Sequence, residues 1–120
     1  MMNKAIKVLI VDNSILIKKV LKEILQEAGF TNIIEASNGR EALEKYHAEK
    51  PDLILLDIIM PEIDGIAVVK EIGKEVNVIM VSAIGQENVI KKATDYGAKG
   101  YLVKPFDKDK MLETIEQVMA

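Results

Sequence analysis

Five polar residues stand directly after runs of apolar ones. Asp12 and Asn13 follow Val8-Leu9-Ile10-Val11, Asp57 follows Leu53-Ile54-Leu55-Leu56, Ser82 follows Val78-Ile79-Met80-Val81, and Lys104 follows Tyr101-Leu102-Val103. A carboxylate that ends a buried run is costly to desolvate, so Asp57 needs a partner, a metal ion or exposure at an edge. Oxygen donors from Asp12, Asn13 and Asp57, with no His or Cys beside them, suit a hard cation such as Mg2+ and disfavour zinc. A carboxylate beside such a cation can act as a nucleophile towards a phosphoryl group, giving an aspartyl phosphate. Lys104 would then pair with one phosphoryl oxygen as a point charge, and the Ser82 hydroxyl would donate to another. Asp57 is the expected reactive group.

Singly, each of these residues has a plainer use. Asp12, Asn13 or Ser14 can cap a helix that follows the first strand. Ser82 alone reads as a turn or cap residue, and Lys104 alone as a solvated charge. It is the convergence of two carboxylates, an amide, a hydroxyl and an ammonium on one edge that makes coincidence a poor explanation.

The elements that must place them alternate along the whole chain. Residues 6–11 form a β-branched apolar run, and the helix after Asp12-Asn13-Ser14 repeats Ile17, Val20, Leu21, Ile24, Leu25 and Ala28 at helical spacing, with Lys18, Lys19, Lys22 and Glu23 on the polar side and Gly29 as its stop. A short strand over Asn32–Ala36 leads to a helix that starts at Gly39 and ends before Pro51. The four apolar residues before Asp57 lack polar alternation, as expected of a strand buried on both faces. Further helices are predicted over 65–74, with Ile66, Val69 and Ile72 inward, over 86–96, and after Asp107, with Met111, Leu112, Ile115, Val118 and Met119 inward. Strands are predicted over 76–81 and Gly100–Val103. Five strand-then-helix units with short connections require right-handed crossovers and an α/β, doubly wound parallel sheet covered on both faces. In such sheets ligands bind beyond the carboxyl ends of the strands, which is where the polar set lies.

Composition narrows the function classes. A chain of 120 residues with 49% hydrophobic residues suits one well-formed core and excludes disorder. The net charge of −3 gives no basic footprint for nucleic acid, and no apolar run approaches the length of a membrane span. Met1-Met2-Asn3-Lys4 lacks a signal-peptide core and there is no cysteine, so a cytoplasmic location is expected. His47, the single histidine, reads as a solvated residue near the end of the second helix. Glu62 and Asp64 read as solvated loop residues, and Met60 as core.

The sequence closely resembles the receiver domain of two-component response regulators, especially stand-alone chemotaxis regulators of the CheY type. The matching segments are Val-Leu-Ile-Val-Asp (8–12), Asn-Gly-Arg-Glu-Ala (38–42), Leu-Leu-Asp-Ile-Ile-Met-Pro-Glu-Ile-Asp-Gly (55–65), Ser-Ala (82–83) and Lys-Pro-Phe (104–106), and they span essentially the whole chain, read as one domain over 1–120. The resemblance implies a flavodoxin-like fold, strand order 2-1-3-4-5 with five helices, for which CheY is itself a standard example. It implies Asp57 as phosphoacceptor and Asp12, Asn13, Asp57 and the Ile59 backbone carbonyl around Mg2+. Ser82 and Lys104 would sense the phosphoryl group, Lys104-Pro105 would be cis, and Tyr101 would be the switch aromatic; without the family, Tyr101 reads as an amphipathic strand residue with its hydroxyl in water. The implied protein is a monomeric signalling phosphoacceptor rather than a conventional enzyme. It would catalyse its own phosphorylation and slow dephosphorylation. Its partners would be a histidine kinase of the CheA type and a downstream protein such as a flagellar motor switch component, with relay or phosphate-sink roles equally compatible.

Asn13 departs from the usual pair of acids at the end of the first strand, which predicts weaker Mg2+ affinity. Ile59 and Ile84, bulky and apolar two residues beyond Asp57 and Ser82, match positions that line the path of hydrolytic water and predict a long-lived phosphoryl group. Two rivals remain: a pseudo-receiver that binds partners without phosphorylation, and a flavodoxin-like FMN carrier, against which the anionic Asp12-Asn13-Ser14 turn speaks.

Overall fold

The computed structural model describes residues 3–120, so the Met1-Met2 start of the segment read for a signal peptide lies outside the described residues. The elements run β1 (Lys7–Val11), α1 (Ile15–Glu27), β2 (Asn32–Ala36), α2 (Gly39–Glu49), β3 (Leu53–Leu56), α3 (Gly65–Ile72), β4 (Asn77–Ser82), α4 (Glu87–Asp95), β5 (Gly100–Val103) and α5 (Lys108–Met119). All strand pairs are parallel, in the order β2-β1-β3-β4-β5. Fold class, strand order and helix number are as expected, and every element falls within a few residues of its predicted place.

The two-sided burial of the strands explains their unbroken apolar runs. Leu9 and Val11 of β1, Ile54 and Leu56 of β3, and Val78 and Met80 of β4 pack with Ala42 and Tyr46 of α2, Val68, Val69 and Ile72 of α3, and Ala93 of α4. The alternate residues Val8, Ile10, Leu53, Leu55, Ile79 and Val81 pack on the other face with Leu21 and Leu25 of α1 and Met111 and Ile115 of α5. Period-two alternation thus directs each strand into both cores at once.

Helix ends follow local chemistry. Ser14, Asn38, Asp64 and Asp107 each accept a backbone N–H as N-cap. At the end of α1 the N–H of Phe30 reaches the Leu25 carbonyl and that of Gly29 the Gln26 carbonyl, with Gly29 at φ +101°. That is the double bond of a glycine-terminated helix.

Three details correct or extend the helix readings. Lys18 is not on the polar side of α1: it is buried, and its ammonium donates to the Ser37 hydroxyl. Val20, counted among the inward residues, is exposed, as are Ile15 and Leu16. Asp64 is exposed, as expected of a solvated loop residue, but it has the further role of N-cap of α3, accepting from the Ala67 N–H at 2.9 Å. In α3 Val68 joins the buried set while Ile66 is only half-buried, and in α5 Thr114 is buried where Leu112, Val118 and Met119 are partly covered. Met60 is buried and His47 exposed, as expected.

Candidate functional site

The C-terminal edge of the sheet gathers the polar set because β1, β3, β4 and β5 are neighbours and all point the same way. Asp12 extends the β1–β2 ladder by one residue, its N–H donating to the Ala36 carbonyl at 3.2 Å. Asp57 does the same between β3 and β1, its N–H donating to the Val11 carbonyl at 3.0 Å. The Lys104 N–H donates to the Ser82 carbonyl at 2.8 Å, so the ends of β4 and β5 are tied together as well.

Ser14 takes the cap of α1, its hydroxyl accepting from the Ile17 N–H at 3.2 Å. Asp12 is therefore free of the capping role. Its Oδ1 accepts from the Ser14 N–H at 2.9 Å, and its Oδ2 accepts from the Lys104 ammonium at 3.0 Å. The same ammonium lies 3.7 Å from Asp57 Oδ2, while Asp57 Oδ1 accepts from the Ile58 N–H at 2.8 Å. Asp12 and Asp57 are both buried. Lys104 is thus one cation shared by two carboxylates.

Burial, the largest influence, pushes the Asp57 carboxyl above its usual value. Lys104 pulls it down, Asp12 pushes it up, and the N–H groups of Ile58 and Ile59 pull it down, leaving a net rise. A single lysine therefore does not offset the cost of the buried charges. That imbalance, with donor atoms that are all oxygens, fits a divalent hard cation held by Asp12 and Asp57. Among the described residues no group of three or more His, Cys, Asp or Glu converges on a metal position. The remaining protein donors would be the exposed Asn13 and the Ile59 carbonyl.

Ser82 is fully buried, its hydroxyl accepting from the Ile84 N–H at 3.2 Å. Tyr101 packs against the α2–α3–α4 core, and its hydroxyl donates to the Ile84 carbonyl. This corrects the water-facing reading of Tyr101. Ile84, noted in the sequence only for its bulk, is thus gripped at both sides of its backbone by Ser82 and Tyr101; backbone contacts of this kind leave no residue-type signal. Burial pushes the Tyr101 hydroxyl above its usual value. The Lys104-Pro105 bond is cis. Ile59, 66% exposed, stands beside Asp57 at the mouth of the site.

The loop after Asp57 folds back on itself. The Gly65 N–H donates to the Ile58 carbonyl at 2.8 Å, and a Cβ on Gly65 would lie 2.0 Å from the Asp57 carbonyl oxygen. Only glycine fits there.

Comparison with known proteins agrees with this architecture. Residues 8–116 match the model of the response regulator receiver domain. The chain belongs to that family. This receiver domain is 42% identical to the chemotaxis protein CheY of Bacillus subtilis over 116 residues, covering 94% of this chain and 97% of that protein. It is 43% identical to chemotaxis protein CheY of Thermotoga maritima, covering 93% and 96% respectively. Among solved structures, the crystal structure of a CheX–CheY–BeF3–Mg2+ complex from Borrelia burgdorferi superposes with a TM-score of 0.89 at 40% identity, covering 96% of this chain and 90% of that one. Receiver domains of this type are two-component signalling modules rather than conventional enzymes.

Proposed function

We propose that this receiver domain accepts a phosphoryl group on Asp57 from a histidine kinase and thereby switches a protein-binding surface. The observation that carries the reading is the Lys104 ammonium placed 3.0 Å from Asp12 and 3.7 Å from Asp57 at the C-terminal edge of the sheet. Asp57 Oδ2 attacks the phosphorus of a phosphohistidine, the P–N bond breaks, and the imidazole leaves with the electron pair, giving an acyl phosphate. Lys104 pairs with a phosphoryl oxygen, and the Ser82 hydroxyl donates to another. Asp12, Asn13, Asp57 and the Ile59 carbonyl would hold Mg2+, which would supply neutralisation of the charge gathered on the transferring group.

The shared attachment of Ser82 and Tyr101 to Ile84 gives the switch a physical route. A shift of Ser82 towards a phosphoryl oxygen perturbs the Ile84 peptide and with it the Tyr101 anchor. Ile59 and Ile84 keep water from the acyl phosphate and slow its hydrolysis. On this reading the protein is a cytoplasmic monomer that takes its phosphoryl group from a CheA-type kinase and acts on a separate protein target such as a flagellar motor switch component.

The exposed Asn13 in place of an acid favours one second reading, a pseudo-receiver that binds partners without phosphorylation. Incubation with Mg2+ and a small acyl phosphate, followed by intact mass of the wild type and Asp57→Asn, separates the two. A phosphoryl adduct on the wild type alone is expected. Its absence would favour the pseudo-receiver.

A further inference from the structure

Lys18 is 8% exposed, yet among the described residues it forms no ion pair. Its ammonium donates to the hydroxyl of Ser37, a neutral partner. A buried cation without a carboxylate is unusual, because its desolvation is only weakly compensated. Its place in the fold accounts for it. Ser37 follows Ala36, whose carbonyl accepts the Asp12 N–H. The Lys18 N–H donates to the Ser14 carbonyl at 3.1 Å, and the Ser14 N–H donates to Asp12 Oδ1 at 2.9 Å. Followed round, these bonds close a ring: Asp12 to Ala36, along the chain to Ser37, across to the Lys18 ammonium, through the Lys18 backbone to Ser14, and back to Asp12. The Asp12-Asn13-Ser14 turn is held inside that ring.

We infer that Lys18 and Ser37 form a clamp that fixes the Asp12-Asn13 turn, which makes Lys18 a positioning residue of the acidic site. Every other bond of the ring is made by backbone N–H or C=O groups or by Asp12 itself. The Lys18–Ser37 bond is the one link formed between two side chains, and the one that ties α1 to the segment between β2 and α2. The long lysine stem reaches across the turn while its charge stays in place, so the turn is braced without a second carboxylate competing for cations. Asn13, itself exposed and neutral, then depends for its placement on the backbone around it. Outer-shell contacts of this kind set the affinity of a metal site without touching the ion.

Two measurements test the clamp. Ser37→Ala removes the acceptor and leaves the charge of Lys18 intact, whereas Ser37→Thr keeps a hydroxyl. In metal-free protein, the amide hydrogens of Asp12 and Ser14 are expected to exchange about tenfold faster in Ser37→Ala, the worth of one hydrogen bond from a charged donor. Amides of β3 should exchange as in the wild type, and Ser37→Thr should restore protection. Lys18→Met should reproduce the Ser37→Ala pattern. The second measurement rests on the proposed metal role: direct titration should give about tenfold weaker Mg2+ binding in Ser37→Ala. Wild-type exchange at Asp12 and Ser14 in Ser37→Ala overturns the clamp, as does uniform acceleration across the sheet, which would mark a general loss of stability. Should the wild type itself bind no Mg2+ in an Asp57-dependent way, it is the metal role that fails, and the exchange comparison still decides the clamp.

Discussion

Replacing Asp57 by Asn should stabilise the metal-free protein at neutral pH, although it removes an attraction. Lys104 lies 3.7 Å from the carboxylate, and at an effective dielectric near 20 such a pair attracts by about 4 to 5 kcal/mol. Against this stand the desolvation of a buried carboxylate, several kcal/mol by itself, and repulsion from Asp12, which already holds Lys104 at 3.0 Å. The raised Asp57 carboxyl decides the sign, because the folded protein prefers the neutral form there more strongly than the unfolded chain does. The amide also keeps an oxygen to accept the Ile58 N–H. We expect Asp57→Asn to gain about 1 to 2 kcal/mol in urea unfolding with a chelator present, the ordinary scale of a single substitution. The folded carboxyl binds its proton at higher pH than the unfolded one, so the wild type recovers stability as pH falls through the raised value towards 3.8. The gap between variant and wild type should therefore be widest at neutral pH and close in acid. Mg2+ at a hundredfold excess over its Kd should add about 2.7 kcal/mol to the wild type and far less to the variant, reversing the order. A metal-free variant less stable than the wild type at neutral pH, or a gap indifferent to pH, would refute the reasoning.

Three further outcomes are expected. Asn13→Asp should tighten Mg2+ binding on the order of tenfold by calorimetric titration, since a neutral donor becomes a charged one. Ile59→Asn should hasten loss of phosphate from the phosphorylated protein by about tenfold in a radiolabel or phosphate-release assay, short of the roughly hundredfold of a true general base. Gly65→Ala should cost about 3 kcal/mol in urea unfolding, because its Cβ would sit 2.0 Å from the Asp57 carbonyl oxygen and 2.8 Å from the Ile58 Cα, where only backbone can give way.

The sheet was legible because its signals are periodic. Uninterrupted runs such as Leu53-Ile54-Leu55-Leu56 have to face two cores, and each run ends on a polar residue that the parallel topology carries to a common edge. Asp12, Asp57, Ser82 and Lys104 could be nominated for that reason, and the structure brings them together there. Lys18 and Val20 were misplaced because residue type served as a proxy for direction. A lysine stem is long enough to lie inside the fold and present its ammonium to Ser37, while a valine costs little at the surface. The start of α3 at Gly65 was legible, but Asp64 escaped notice as its cap because an acid in a polar loop is equally at home in water. The anchoring of Tyr101 on Ile84 was illegible because its acceptor is a backbone carbonyl.

The charges of the site explain why its residues sit where folding alone would not place them. Two buried carboxylates sharing one ammonium form an arrangement the folded chain tolerates rather than favours, as the raised Asp57 carboxyl attests. On the proposed reading that imbalance is useful. A site already neutral would gain nothing from a cation, and a site with a second lysine against Asp57 would have little affinity left for one. Lys18, a buried lysine on α1, presents its ammonium to Ser37 and forms no ion pair with either carboxylate, so it braces the turn without quenching the acidic edge. The sheet holds both carboxylates in place through the ladder bonds made by the Asp12 and Asp57 N–H groups. On the proposed reading, stability lost at the edge would be the source of a capacity to bind cation and phosphoryl group together, and a variant that relieves it should fold better and signal less.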